Sequence, residues 1–270
     1  MVDAGGYRLY SELSGEGDPL VLVHAGIVDS RVWDPQVAAF SPTHQVLRYD
    51  QAGFGRSEDL PRAMPLRAGL RVLMDHYDLG PAHIVGNSMG GTMVLDFALD
   101  NPDRLRSLVL IAPGLSGYEP SREEMFEGPA LIGESFGAYG KAFEAGDVDA
   151  LNDLLLRVWV DGVGRDGGDA AVRRLVGEMN SEVIRRELAR GEIEDAPLAP
   201  PAAGRLDEIQ VPVLVMVGEH DLPVTHRVAG LLVEGIANAR LSVVPATAHL
   251  PSLENPELFN QLLRDFLAQV

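Results

Sequence analysis

Along this chain, short unbroken runs of apolar residues alternate with longer stretches in which apolar residues return every three or four positions. The runs at 20–23 (Leu-Val-Leu-Val), 82–85, 105–111 and 211–217 predict strands covered on both faces, since a strand with one wet face would alternate. Alternation is confined to residues 7–14, which predicts a half-exposed edge strand, and further strands are expected at 45–49 and 239–244. Helices are expected at 32–40, at 66–78, where Leu66, Leu70, Leu73, Met74 and Tyr77 share one side, and from Thr92 onward. Two more follow at 226–235 and from Pro256, where Leu258, Leu262, Leu263 and Phe266 face inward. Strand and helix in turn mean a mostly parallel sheet with helices on both faces, an α/β fold.

The rhythm stops at Leu115. Until about residue 205 the pattern offers helical stretches at 149–160, 170–179 and 181–191 but no convincing strand. Placed between two halves of an α/β pattern, this reads as a helical cap (115–205) inserted into a core domain made of 1–114 and 206–270. Phe126, Phe136, Tyr139, Phe143 and Trp159 are available either to line a pocket beneath such a cap or to form its own small core.

Composition narrows the chemistry by exclusion. The 270 residues, 46% hydrophobic, suffice for one sizeable core with an insertion. With no cysteine there is no disulfide, thiolate nucleophile or cysteine metal site. A formal net charge of -18 argues against nucleic acid and anionic membrane surfaces as partners, because phosphate contacts need clustered Lys or Arg. No run approaches the ~20 apolar residues of a membrane span, and the first residues lack a basic start, so a soluble cytoplasmic protein acting on a small molecule is expected, of undetermined oligomeric state. Gly53 and Gly55 suggest a dinucleotide loop, but the third glycine and the distant acidic residue are missing, so neither a cofactor nor a metal is expected.

The chemistry concentrates at residues 86–90, Gly-Asn-Ser-Met-Gly, between a buried strand and a helix. A serine on a turn this tight is forced into a strained conformation that lifts its hydroxyl out of the sheet, which makes Ser88 a candidate nucleophile. The same spacing recurs at 133–137, but no clear strand precedes Ser135 and no clean helix follows it, so Ser135 reads as coincidental.

A serine hydroxyl needs a base within reach, and the base needs a third group to orient it. Of seven histidines, His24 sits in the loop after the 20–23 strand, and His76 and His83 flank the elements that deliver Ser88. His44 lies at the wrong edge of the sheet, and His220 and His226 lie beside the candidate acids. His249, in a long loop after the last strand, is the expected base. Asp221 is the expected acid, deeper in its loop than the alternative Glu219. Gly26, following a buried strand, can turn its N–H into the crevice to stabilise an oxyanion.

Taken together, the segments at 20–26 (LVLVHAG), 50–57 (DQAGFGRS), 85–91 (VGNSMGG), 211–221 (VPVLVMVGEHD) and from Ala248 (AHLPSLENPELF) resemble the α/β-hydrolase fold family over essentially the whole chain. The resemblance implies Ser88 as nucleophile, His249 as base, Asp221 as acid, and the N–H groups of Gly26 and Met89 as oxyanion hole, in the family's chain order. Ala25 departs from the glycine usual at that place. The implied reaction is two-step acyl transfer without a cofactor, on a carboxylic ester or lactone of a small to medium, mostly apolar substrate. The alternatives are carbon–carbon bond hydrolysis of ring-cleavage products, for which Arg157 is a candidate carboxylate clamp unless it serves in a surface ion pair, and a ligand-binding receptor with little turnover. Fold alone does not choose among these.

Overall fold

The computed structural model describes residues 1–60, 64–121, 131–191 and 195–270, with side chains omitted at 131–136. Its centre is a seven-stranded sheet in the order β3-β5-β4-β6-β7-β8-β9, formed by Ser11–Ser14 (β3), Asp18–Val23 (β4), His44–Tyr49 (β5), Ala82–Asn87 (β6), Leu105–Ile111 (β7), Val213–Gly218 (β8) and Ala239–Val244 (β9). Only the edge strand β3 runs antiparallel to its neighbour, so the expected mostly parallel sheet is present.

The continuous apolar runs have the reason proposed for them. Every residue of β6 and β8 is buried, and successive residues serve opposite faces. Val21 and Val23 pack toward helices Leu66–His76 (α2), Met89–Asp100 (α3) and Pro223–Gly235, whereas Leu20 and Leu22 pack with Phe40 of the helix Asp34–Phe40 (α1), Phe259 and Phe266. Each such side chain, fully removed from water, contributes about 1.5–3 kcal/mol before chain entropy is set against it.

Topology then fixes where a site can lie. The chain leaves β4 for β5 on one side and returns to β6 on the other, which opens a crevice between the carboxyl ends of β4 and β6. Ligands of open α/β sheets bind at such switch points.

Some expectations change in detail. The alternating 7–14 segment is two strands, because Arg8–Leu9 (β2) pairs with Val2–Asp3 (β1) and only Ser11–Ser14 joins the main sheet. The helices expected at 170–179 and 181–191 are one helix, Ala170–Arg190. Asn and Ser are modest helix formers, which suggested a break at 180–181, but both side chains are hydrogen-bonded to Asn152 and tertiary contact overrides propensity. The 149–160 helix is Val148–Leu156 continued by a single π turn, Arg157–Asp161. Among the described residues of 115–205 there is no strand.

Candidate active site

Ser88 follows β6 and precedes α3, with φ 55 and ψ -118, a conformation rare for any residue with a side chain. Two glycines permit it. A Cβ at Gly86 would lie 2.5 Å from the carbonyl oxygen of Gly90, and one at Gly90 would lie 2.4 Å from that of His24. The turn is further held by the Ser88 N–H donating to the Ile111 carbonyl at 2.8 Å.

The other two loops are brought to it by strand register. Val23 stands opposite Gly86, so residues 24–26 emerge beside 87–89, and Gly218 stands opposite Val244, so 219–221 emerge beside 245–249. The His220 N–H donates to the Thr247 carbonyl at 2.8 Å and the Ala246 N–H to Glu219 Oε2 at 2.9 Å, which ties the two loops together. Glu219 is occupied in that tie and is exposed, whereas Asp221 is buried.

Asp221 Oδ1 accepts the Leu222 N–H at 2.7 Å, and Oδ2 lies 2.8 Å from His249 Nδ1. A carboxylate only accepts, so the Nδ1 proton points at Asp221 and Nε2 is left as the basic nitrogen. Nε2 lies 2.7 Å from Ser88 Oγ. The hydroxyl donates to a neutral imidazole whose tautomer is set by a buried acid, a geometry competent for proton abstraction.

Gly26 and Met89 adjoin each other, for a Cβ on Gly26 would be 3.4 Å from Met89 Sδ. Met89 is the first residue of α3, so its N–H has no acceptor within the helix. The loop carrying Gly26 is fixed through His24, which is fully buried. The Gln51 N–H donates to His24 Nε2 at 2.9 Å, His24 Nδ1 donates to the Ala25 carbonyl at 2.8 Å, and Gln51 Nε2 donates to the His24 carbonyl at 2.7 Å. Burial pushes the His24 pKa down, which suits a ring that accepts from a main-chain N–H. Ala25, in place of the usual glycine, is fully buried. The Gly53 and Gly55 turn thus serves the site as scaffold, with Phe54 placed edge-on to His24 at 5.2 Å.

A cavity of ≈ 370 Å³ opens over Ser88. Gly26, Phe54 and His249 come from the strand-end loops, and Tyr139, Leu155, Trp159, Asn180, Val183 and Glu187 from the helical stretch. Of the five aromatic residues singled out from sequence, Tyr139 and Trp159 line it. Phe143 stacks on Tyr139 at 6.1 Å and packs near Leu151 and Ile184, while Phe126 and the Phe136 side chain lie outside the described residues. Arg157 is not at the cavity; it is exposed and paired with Asp153 at 2.8 Å, one turn away on its own helix. Residue 135 lies inside the helix Leu131–Ala145 (α4), so its GxSxG is not a strand-to-helix turn.

Sequence reasoning missed several supports. Asn87 Nδ2 reaches the His249 carbonyl at 3.2 Å, and Glu254 accepts from the N–H groups of Ala248 at 2.9 Å and Leu250 at 3.2 Å, on both sides of His249. Arg165, paired with the buried Glu254 carboxylate at 2.6 Å, also donates to the Val160 and Asp161 carbonyls. The His249 N–H donates to the Trp159 carbonyl at 3.2 Å, and the two rings lie 4.2 Å apart. The helical stretch is therefore bonded to the loop that carries the imidazole. A glutamate five residues after His249 was the available signal, but its ion-pair partner Arg165 lies 89 residues away.

Among the described residues, no group of acidic or histidine side chains could hold a metal ion, and no helix is long and apolar enough to cross a membrane. Comparison with known proteins adds relatives. The family described as "alpha/beta hydrolase fold" matches residues 18–158. A 2-hydroxy-6-oxo-6-phenylhexa-2,4-dienoate hydrolase of Comamonas testosteroni is 28% identical over 99% of this chain and 93% of its own length. A carboxylesterase of Bacillus subtilis is 29% identical over 92% of this chain and 79% of its own. Among solved structures, the enol-lactonase from Burkholderia xenovorans superposes with a TM-score of 0.75 at 26% identity, over 99% of this chain and 100% of that one.

Proposed function

The chain belongs to the α/β-hydrolase fold family, and from that premise we propose that it is a serine hydrolase that cleaves a carboxylic ester or lactone through an acyl-enzyme. The observation that carries the reading is the chain of contacts from Asp221 through His249 to Ser88, at 2.8 and 2.7 Å. Ser88 Oγ attacks the substrate carbonyl as its proton passes to His249 Nε2. The oxyanion is met by the N–H groups of Gly26 and Met89, each worth roughly 10²- to 10³-fold in rate. His249 then protonates the leaving alcohol, and water activated by the same nitrogen releases the acid and restores Ser88. Asp221 keeps the imidazole in the required tautomer and stabilises the imidazolium. The described helices of the 115–205 stretch act as a cap that roofs the cavity and limits bulk water around the reacting carbonyl, while leaving room for the one water that deacylates Ser88.

The cavity also bears on the choice of substrate. Among the described residues that line it there is no Arg or Lys, and Glu187 adds a carboxylate. An anionic dienoate would find no counter-charge there, and Arg157 is engaged with Asp153. A neutral, largely apolar ester or lactone fits better.

The test is a substrate panel on the purified protein. We expect turnover of p-nitrophenyl butanoate and of medium-ring lactones, at least about 100-fold less efficient turnover of a ring-cleavage dienoate, and loss of about 10⁴- to 10⁶-fold in kcat with Ser88→Ala. Preference for the dienoate would turn the reading to carbon–carbon hydrolysis. A wild-type protein inert to every substrate yet stabilised by a ligand would turn it to the receptor.

A further inference from the structure

The loop that carries His249 contains a strained residue. Ala246 has φ 57, a left-handed conformation that alanine adopts only where its surroundings impose it, and such strain gathers where a side chain has to be aimed. Both main-chain groups of Ala246 are held by side chains from elsewhere. Its N–H donates to Glu219 Oε2 at 2.9 Å, and its carbonyl accepts from Arg165 Nη1 at 2.9 Å.

The far end of the loop meets the same arginine. The Glu254 side chain is only 4% exposed, and its carboxylate folds back so that Oε1 accepts the N–H groups of Ala248 and Leu250 while Oε2 accepts Arg165 Nη2 at 2.6 Å. A carboxylate this far from water is tolerated when a cation pairs with it. One guanidinium thus holds the chain three residues before His249 and five residues after it. Its planar fork meets both partners at once, which a single ammonium cannot do.

Arg165 is itself fixed from the helical stretch. It donates to the carbonyls of Val160 and Asp161, in the turn that continues the helix Val148–Leu156. The segment around it also lies against the acid loop. The Val163 N–H donates to the His220 carbonyl at 2.8 Å, His220 Nδ1 donates to the Val163 carbonyl at 3.0 Å, and a Cβ at Gly162 would strike the His220 carbonyl at 2.6 Å. Residues 159–165 therefore touch both loops whose side chains must align on Ser88, although they supply none of the three reacting groups.

We propose that Arg165 is a positioning residue for the reaction, one that sets the His249 imidazole between Asp221 and Ser88 by holding the Ala246 carbonyl and the Glu254 carboxylate together. The inference rests on the serine-hydrolase reading above and adds to it: the helical stretch braces the base as well as roofing the cavity. A reacting group displaced by about 1 Å can cost on the order of 10²-fold in rate. Release of the loop is therefore felt in proton abstraction from Ser88 and not in substrate binding.

The test measures how fast diisopropyl fluorophosphate, a reagent too small to need the roof of the cavity, phosphonylates Ser88, beside kcat and KM for p-nitrophenyl butanoate. Rates are expressed per reactive site, counted from the end point of phosphonylation, so unfolded protein does not enter. Arg165→Met is expected to lower both the phosphonylation rate and kcat by roughly 10- to 100-fold, with KM within about 3-fold of wild type. Arg165→Lys, which keeps the charge but meets only one partner, should lose less, about 3- to 10-fold. Phosphonylation at the wild-type rate in both variants overturns the inference even where stability in urea falls, because the arginine then serves the fold alone. A raised KM with phosphonylation unchanged overturns it too, since the stretch would then only grip the substrate. If Arg165→Met does not fold, Arg165→Lys decides by the same two readings. A wild-type protein that the reagent leaves unmodified at Ser88 defeats the functional reading, whereas variants as fast as wild type defeat this inference alone.

Discussion

The pattern Gly-x-Ser-x-Gly occurs twice in this chain, at 86–90 and at 133–137, and the two copies are built differently. At the first, the glycines are places where a methyl group would strike main-chain oxygens at 2.5 and 2.4 Å, and the serine between them has φ 55. The second lies inside the helix Leu131–Ala145, and a Cβ at Gly137 would meet nothing within 4 Å. One copy is a crowded junction of strand, turn and helix, and the other is an ordinary helical surface on which glycine is only a weak helix former. What separates a nucleophile elbow from a chance match is how tightly the surroundings determine the backbone.

The sharpest way to break that contrast is to add one methyl group at each place. Gly86→Ala is expected to destabilise the fold by about 3 kcal/mol or more, because Gly90 and Val94 must move apart to admit it. Equality with Gly137→Ala in urea unfolding would contradict this. A smaller effect is expected from pH. His83, on the strand that leads into Ser88, is buried, with its Nδ1 2.8 Å from Ser107 Oγ, and burial first, then Arg106, lowers its pKa to about 4. The unfolded chain binds that proton near pH 6.5 and the folded one does not. Stability should therefore be complete above about 6.5 and decline as pH falls toward 4, by an amount of order 2 kcal/mol that His83→Asn removes. A profile equally steep in the variant would assign the loss elsewhere. The smallest effect is Gly137→Ala itself, expected to raise stability by about 0.5–1 kcal/mol in the same unfolding measurement.

Much of the site was legible in the sequence because its residues hang on strands. Apolar runs with no wet face located β4, β6, β7 and β8, and the loops after β4, β6, β8 and β9 had to meet at one rim, so Gly26, Ser88, Asp221 and His249 could be named from chain order and residue type. Asp221 was separable from Glu219 only in part, since the hydrogen bond that occupies Glu219 comes from Ala246 in another loop. Arg165, Trp159 and Asn87 were not legible as supports of the His249 loop, because the groups they meet there are remote in sequence, and Glu254, whose N–H donors are close by, gave no sign that its carboxylate folds back onto them. Asn180 was hidden for the opposite reason, as a polar residue on a helix looks like surface until the fold buries it. The 115–205 stretch was read worst: its two helices expected at 170–179 and 181–191 are one, whereas the surface ion pair weighed for Arg157 is present with Asp153.

In the proposed mechanism Ser88, and not Ser135, is the activated hydroxyl. Labelling the purified protein with a fluorophosphonate and mapping the modified peptide tests it most directly. A single adduct on Ser88, abolished by His249→Ala, is the predicted result; an adduct on Ser135, or none on either serine, would contradict it.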